Sequence, residues 1–475
     1  MLVSMETPYI PPSFLRLTIA AGLIGIGAAF WTFLLRISIA FFHNLLFLGD
    51  LSFVYDAKIH TPPSPLGPLI IFIPVLGAIG VIVVTRRYHT EVVGTGVQQV
   101  LEAIHYEKGV IPAIVIIVKT LAAAITIGSG GSVGREGPSL HINSAFASTV
   151  GRRLHLPVPD RLILIAAACA GGLAATFNAP LAGIIFAAEL FLVEIRLGSM
   201  VPVIIASLIA TLATTTIFGS SVDFNIPGVF PPLQALTLAG VGTLVLFGLL
   251  TGLISAAIVW IIPVTEIRLL RMLPEKPFLR HTLGMLPIGI MMYLMLLLYG
   301  HYYVNGLGFS TIQDILSGTL TVLPLLVLLF ILKLIATSLS LGSGATGGVF
   351  SPLIFMGATF GAAFGVFFDA VMPGLEIAPS GFAVLGMAGT FGGATGAVLT
   401  AIVIILEITS GNESGVFPLI LVVLIAYGVR KLLMKDSIYT YLLTVQDRSI
   451  PDSVYARLIS CSRNDTEGKR ANPEK

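Results

Sequence analysis

The chain has 475 residues, of which 56% are hydrophobic and 11% charged, and its mean hydropathy is +0.97. Soluble globular proteins carry about a quarter charged residues, so this composition excludes an ordinary soluble protein and points to an integral membrane protein embedded in a lipid bilayer. The formal net charge of +2 singles out no partner and gives no sign of nucleic acid.

In chain order, residues 1–13 form an N-terminal segment without a basic n-region, which argues against a cleaved signal peptide. Apolar runs follow at 14–47, 64–84, 110–127, 162–174, 200–218, 236–263, 320–341, 382–391 and 417–429. Many are shorter than the ~20 residues of a full span, and others are broken by glycine or proline. The pattern predicts one all-α, polytopic membrane domain over 14–443, built of tilted and partial helices, instead of an up-and-down bundle. The runs are continuous and not alternating, which excludes a transmembrane β-barrel.

Basic residues gather at Arg86–Arg87, at Arg152, Arg153 and Arg161, at Arg268, Arg271, Lys276 and Arg280, and at Arg430, Lys431 and Lys435. Segments 219–236 and 300–313 carry almost none. The positive-inside rule places the basic loops and the C-terminus in the cytoplasm, and an inner (plasma) membrane is the expected compartment. Residues 444–475 read as a short, polar, disordered cytoplasmic tail, too short for a folded regulatory domain. Cys169 reads as a core residue and Cys461 as a free thiol in the tail, so no disulfide is expected.

Two glycine-rich breaks are versions of one another. Gly128-Ser-Gly-Gly-Ser-Val-Gly-Arg-Glu-Gly-Pro138 matches Gly342-Ser-Gly-Ala-Thr-Gly-Gly-Val-Phe-Ser-Pro352 at an offset of 214 (342 − 128). A second block, Cys169–Glu189, matches Met387–Glu407 at an offset of 218 (407 − 189), with Gly171/Gly389, Leu181/Leu399 and Glu189/Glu407 coinciding. Two blocks in the same order indicate duplication, with a first repeat over about 14–230 and a second over about 235–443. Each glycine loop ends in a proline suited to the first turn of a helix. Helices that begin at mid-depth in a membrane present unpaired N–H groups, and two such ends from two halves can face one anion. The reading is an anion pathway between inverted halves.

Glu136 lies beside Arg135 in an apolar region, where an ionisable group costs several kcal/mol. A carboxylate at a helix N-terminus occupies the field that would hold an anion, so protonating it or swinging it out would vacate the site. Glu136 is therefore a candidate gate and proton carrier; a simple ion pair with Arg135 is the bland alternative. An intramembrane enzyme would need a Gly-Lys-[Ser/Thr], Gly-x-Ser-x-Gly or His-Glu-x-x-His sequence, and none is present. His105, His141, His155, His281 and His301 are scattered without metal-ligand spacing. No metal, cofactor or enzymatic activity is expected.

Gly134-Arg-Glu-Gly-Pro138 and Gly347-Gly-Val-Phe-Ser-Pro352 resemble signature loops of the CLC family of chloride channels and chloride/proton exchangers. Gly94-Thr-Gly-Val97 is similar to a third signature, and Phe177-Asn-Ala-Pro-Leu-Ala-Gly183 to the segment before the dimer-facing helix. The resemblance runs from about residue 14 to Tyr439. It implies about 18 helices in two inverted repeats and a homodimer with a chloride pore in each subunit. It also implies that N–H groups around Arg135, Glu136 and Gly137 and around Val349, Phe350 and Ser351 hold chloride. Thr95 and Tyr439 match the hydroxyl and phenol that would hold the central ion from inside, and Lys119 matches a buried lysine adding positive potential. Chloride resists desolvation, and N–H and O–H dipoles give it intermediate binding that permits release. Arg135 is thus expected to support the site as a charge.

Two departures bear on mechanism. Thr95 and Gln98 stand where the family pattern has serine and proline; threonine keeps the hydroxyl, so chloride remains the implied anion over nitrate or fluoride. Many family exchangers carry two adjacent glutamates after the Asn-Ala-Pro-Leu-Ala-Gly run, the second being the inner proton acceptor, but here the pair is Glu189-Leu190. Glu194, four residues on, is a substitute if the helix continues, or else a helix-end charge near Arg196. Proton-coupled antiport and a passive voltage- or pH-gated channel both remain open.

Overall fold

The computed structural model describes residues 14–218, 224, 237–373, 377–409 and 413–450. The N-terminal segment 1–13, the tail beyond 450 with Cys461, and the expected junction of the repeats near 230–235 lie outside them.

The first half contains α1 (Phe14–His43), α2 (Ile73–Thr85), α3 (His89–Val92), α4 (Val97–His105), α5 (Ile114–Gly128), α6 (Glu136–Arg153), α7 (Val158–Phe177), α8 (Pro180–Phe186) and α9 (Leu197–Phe218). The second half contains α10 (Leu238–Met272), α11 (Pro277–Tyr299), α12 (Phe309–Leu316), α13 (Leu323–Ser343), α14 (Phe350–Val371), α15 (Pro379–Thr395), α16 (Val398–Ile408), α17 (Val416–Leu433) and α18 (Tyr441–Val445). No strands form among the described residues; only two isolated bridges do. Nine helical stretches among them are long and apolar enough to cross a membrane. Ile114–Gly128, Pro180–Phe191 and Val398–Ile408 are apolar but shorter. At 1.5 Å per residue such helices fall short of a ~30 Å hydrocarbon core, so they end inside the protein.

Local chemistry sets these breaks. Asn178 closes α7 in the left-handed region at φ 54, where a short polar side chain is tolerated, and Pro180 opens α8 at its first turn. Small residues then bring helices close: Gly357 and Gly361 on α14 face the main chain of α15, and an added Cβ at Gly357 would overlap the Gly386 carbonyl.

The duplication appears as reciprocal contacts between repeat mates. Gly134 N–H donates to Gly348 O at 2.7 Å and Gly348 N–H donates to Gly134 O at 2.7 Å, and these residues are themselves mates (348 − 134 = 214). Glu189 accepts from Leu399 N–H at 2.9 Å, Thr400 N–H at 2.8 Å and Thr400 Oγ1 at 2.6 Å. Its mate Glu407 accepts from Leu181 N–H at 3.0 Å and Ala182 N–H at 2.7 Å. Every partner is displaced by the same 218 (399 − 181, 400 − 182). Each half thus supplies the carboxylate that satisfies the first free N–H groups of a short helix in the other. Such exchange requires a two-fold relation between the halves, the geometry of inverted repeats.

The structure decides between the two readings of Glu194. α8 passes into a π turn over Ala187–Phe191 and stops at Leu192, whose backbone is extended (ψ 126). Glu194 therefore shares no helical face with Leu190; its side chain is exposed and pairs with Arg196 at 3.4 Å. Removing the Glu189 carboxylate leaves the Leu399 and Thr400 N–H groups unpaired in a dry setting, which costs about 1–3 kcal/mol. Glu189→Ala is expected to lower the thermal unfolding midpoint in detergent, and Glu407→Ala to lower it from the other half. Unchanged midpoints in both would show that water replaces the carboxylates.

Candidate functional site

The paired glycine loops place two helix starts together. α6 begins at Glu136 and α14 at Phe350, directly after the residues of the Gly134–Gly348 bridge, and neither receives a side-chain cap. Their first N–H groups and the aligned peptide dipoles make this junction electropositive. Glu136, only 1% exposed, places its carboxylate there: Oε1 accepts from Ser351 Oγ at 2.6 Å, while Oε2 has no hydrogen-bond partner. The carboxylate of one half thus sits at the N-terminus of the other half's helix, where an anion would be held.

A third loop closes the junction. Gly94 and Gly96 take φ of 111° and 90°, and Gly94 bridges Thr346. An added Cβ at Gly137 would overlap the Thr95 carbonyl oxygen, and one at Gly96 the Gly137 carbonyl. Only glycine permits both the dihedrals and the approach. Gln98 has no part in fixing the loop; its neighbour Gln99 does, accepting from Gly96 N–H at 2.7 Å and donating to Val93 O at 2.7 Å. Thr95 Oγ1 is buried with no hydrogen-bond partner, a hydroxyl held ready to donate. Tyr439 is 2% exposed and lies within the electrostatic reach of Glu136. Its segment is fixed by Ile438 N–H on Ala394 O at 2.9 Å and by Arg430, which donates to Gly393 O at 2.7 Å and Asp436 O at 3.2 Å.

The remaining expected residues divide by position. Val349 precedes α14, and the Phe350 ring packs between Phe177 and Phe391 at centroid distances of 4.9 and 4.4 Å, a dry wall behind the main-chain donors. Arg135 turns away from the junction: it donates to Thr176 O at 3.3 Å, lies 5.6 Å from the Phe309 ring centroid, and lines a cavity of about 60 Å³ with Arg36 and Lys58. Lys119 is fully buried, its ammonium donating to Val92 O at 2.6 Å and Gly94 O at 2.9 Å, so it braces the Thr95 loop. Leu190 is buried at the end of α8. A separate cavity of about 370 Å³ opens onto Thr95.

Two features escaped the sequence reading, the first of them contained in the offset. Lys333 is the mate of Lys119 (333 − 119 = 214); it is fully buried and donates to Val304 O at 3.1 Å and Gly306 O at 2.9 Å. The loop it braces, Gly306-Leu-Gly308, mirrors Gly94-Thr-Gly96 with positive φ at both glycines. Arg280 and Arg430, counted from sequence among the basic loops, are 5% and 0% exposed and serve as main-chain clamps. Gly137→Ala would drive the Thr95 loop away from the junction and is expected to lower anion flux in proteoliposomes at least tenfold while the protein stays folded. Parental flux in that variant would separate the contact from transport.

The family model described as "Voltage gated chloride channel" matches residues 75–431. A Vibrio parahaemolyticus protein named H(+)/Cl(-) exchange transporter ClcA is 33% identical over 362 residues, 75% of each chain. A Vibrio cholerae protein of the same name is 32% identical over 361 residues, again 75% of each. Among solved structures, a slow cyanobacterial Cl⁻/H⁺ antiporter superposes with a TM-score of 0.76 at 21% identity, covering 92% of this chain and 99% of that one. A CLC-type fluoride/proton antiporter does so with 0.72 at 24% identity, covering 91% and 98%. These two share the fold. The reciprocal halves, the glycine-loop junction and the match over most of the sequence lead to one conclusion: the chain belongs to the voltage gated chloride channel (CLC) family.

Proposed function

We propose that the protein carries chloride across the membrane in exchange for protons, with Glu136 as the gate. The observation that carries this reading is the Glu136 carboxylate, buried on Ser351 Oγ at the start of α14. An ionised carboxylate and a chloride ion compete for the same donors. A protonated side chain loses its attraction to the helix start and leaves the place to chloride. Each cycle of release and return can move one proton against the anion, which is the link a passive pore lacks.

The donors around the junction suit a monovalent anion that must leave again. Main-chain N–H groups of Gly137, Phe350 and Ser351 with Thr95 Oγ1 and the Tyr439 phenol supply partial charges only. Lys119, Lys333 and Arg135 contribute full charge from behind carbonyls or across an aromatic ring, where they favour the anion without trapping it. The relatives named as exchangers support coupling. Leu190 favours the second reading, passive conduction, because leucine accepts no proton. We further propose a homodimer in the plasma membrane with the C-terminus in the cytoplasm; exposed Leu181, Leu212 and Leu424 supply apolar surface on α8, α9 and α17 for a second copy or lipid.

In proteoliposomes with a chloride gradient, uphill proton movement is expected, and chloride flux without it would sink the exchange reading. Flux should rise as pH falls, since protonation removes the competing carboxylate. In Glu136→Gln chloride flux should persist, independent of pH and without proton movement; parental pH dependence would remove Glu136 from the gate. A phenol hydrogen bond to a buried anion contributes roughly 1.5–3 kcal/mol, so Tyr439→Ala should weaken chloride affinity by about tenfold or more in calorimetry. Equal affinities would exclude Tyr439 as a ligand.

A further inference from the structure

Many family exchangers carry a proton acceptor on the inner side, and Leu190 leaves that position without one. The inner carboxylates differ in how they are held. Glu189 is saturated by Leu399 and Thr400. Glu194 is exposed on Arg196, and Glu102 forms an ion pair with Arg448. Glu266, near the end of α10, is different. It lines the cavity of about 370 Å³ together with Thr95, Glu102, Arg280 and Gly344. It is half-buried, so it touches both water and protein. Its main chain packs on the second glycine loop: a Cβ added at Gly342 would lie 3.1 Å from Glu266 Cα. Facing it across the cavity is Arg280 of α11, 5% exposed, whose Nε donates to Ser343 O at 3.2 Å.

We propose that Glu266 is the inner proton acceptor of the exchange cycle, standing in for the carboxylate absent at Leu190. This rests on the exchange reading above. The proton leaves a hydronium of the cytoplasmic water and binds a carboxylate oxygen of Glu266, releasing water. It then passes along cavity water toward Thr95 and is taken up by the Glu136 carboxylate, so only O–H bonds break and form. The cavity supports the route because it reaches Thr95, whose carbonyl packs on Gly137, the residue next to Glu136. The charged groups facing Glu266 give the step a second effect. When Glu266 is ionised it offsets the guanidinium of Arg280, and Glu102 is already engaged by Arg448. When Glu266 is neutral, the Arg280 charge acts on the cavity alone and draws chloride inward, so proton entry and chloride entry from the cytoplasm reinforce one another.

The test is the proton-to-chloride flux ratio in proteoliposomes under a chloride gradient. Glu266→Gln is expected to keep chloride flux at or above the parental rate, because the Arg280 charge is then permanently unopposed, and to lower the ratio at least fivefold. Glu266→Asp, which restores a carboxylate, should recover half of the ratio or more, a rescue that a packing role would not produce. Glu194→Gln should leave the ratio unchanged. If the glutamine variant does not fold, Glu266→Met, uncharged and of similar volume, takes its place. A coupled parent with an equally coupled Glu266→Gln or Glu266→Met overturns Glu266 alone, as does loss of coupling in Glu194→Gln. A parent that moves chloride without protons overturns the exchange reading, and this proposal with it.

Discussion

A peptide group inside a bilayer has no water to bond, and this constraint organises the whole molecule. Helices that stop at mid-depth leave N–H and C=O groups bare, and here they are answered by the opposite half or by a buried lysine of the same half. Gly134 and Gly348 satisfy one another. Glu189 and Glu407 cap each other's neighbouring short helices. Lys119 and Lys333 each bind two carbonyls of a glycine loop. The α6 and α14 starts receive no side-chain cap, and the Glu136 carboxylate lies at their junction. Stability and function therefore draw on the same kind of group, the main-chain donors at helix breaks.

That economy explains why buried charges cluster around the pathway and yet do not enter it. An ammonium on main-chain oxygens is both a structural bond and a source of positive potential, and burial lengthens its reach because the medium screens it weakly. A chloride ion at the junction would feel Lys119, Lys333 and Arg135 while touching only dipoles. Carboxylates obey the same logic with the opposite sign. Glu189 and Glu407 are fixed by two or three donors each and serve as cement, whereas Glu136 keeps one oxygen unpartnered. The short bond from Ser351 Oγ belongs to a hold that protonation can loosen.

Much of this could be read from the chain. Glycine spacing, the terminal prolines and the offset of 214 located both loops and placed Glu136 at a helix start, because backbone geometry leaves a strong imprint on glycine and proline. The offset of 218 flagged Glu189 and Glu407 as mates, but their roles as caps were hidden, since which N–H groups a carboxylate meets depends on packing between halves. Arg280 and Arg430 misled for a related reason: positive-inside counting assigns arginines to water, and nothing local shows that these two fold back onto carbonyls. Glu194 was left with two roles because helix continuation past Leu190 cannot be read locally; the chain inserts a π turn and stops, which leaves the charge paired with Arg196. Lys333 was within reach, being the Lys119 position shifted by the repeat.

The bridge between Gly134 and Gly348 has an implication for descent. A residue that bonds its own repeat mate in both directions does something a single half could do with a second copy of itself, provided the copy entered the membrane upside down. An ancestral chain of half this length, inserting in both orientations, would have built the same junction as an antiparallel pair, with two equal faces and no preferred direction. Fusion of the halves freed each mate to diverge. The differences at matched positions, Arg135 against Val349 and Glu136 against Phe350, are the kind that would give an originally two-faced passage two distinct faces.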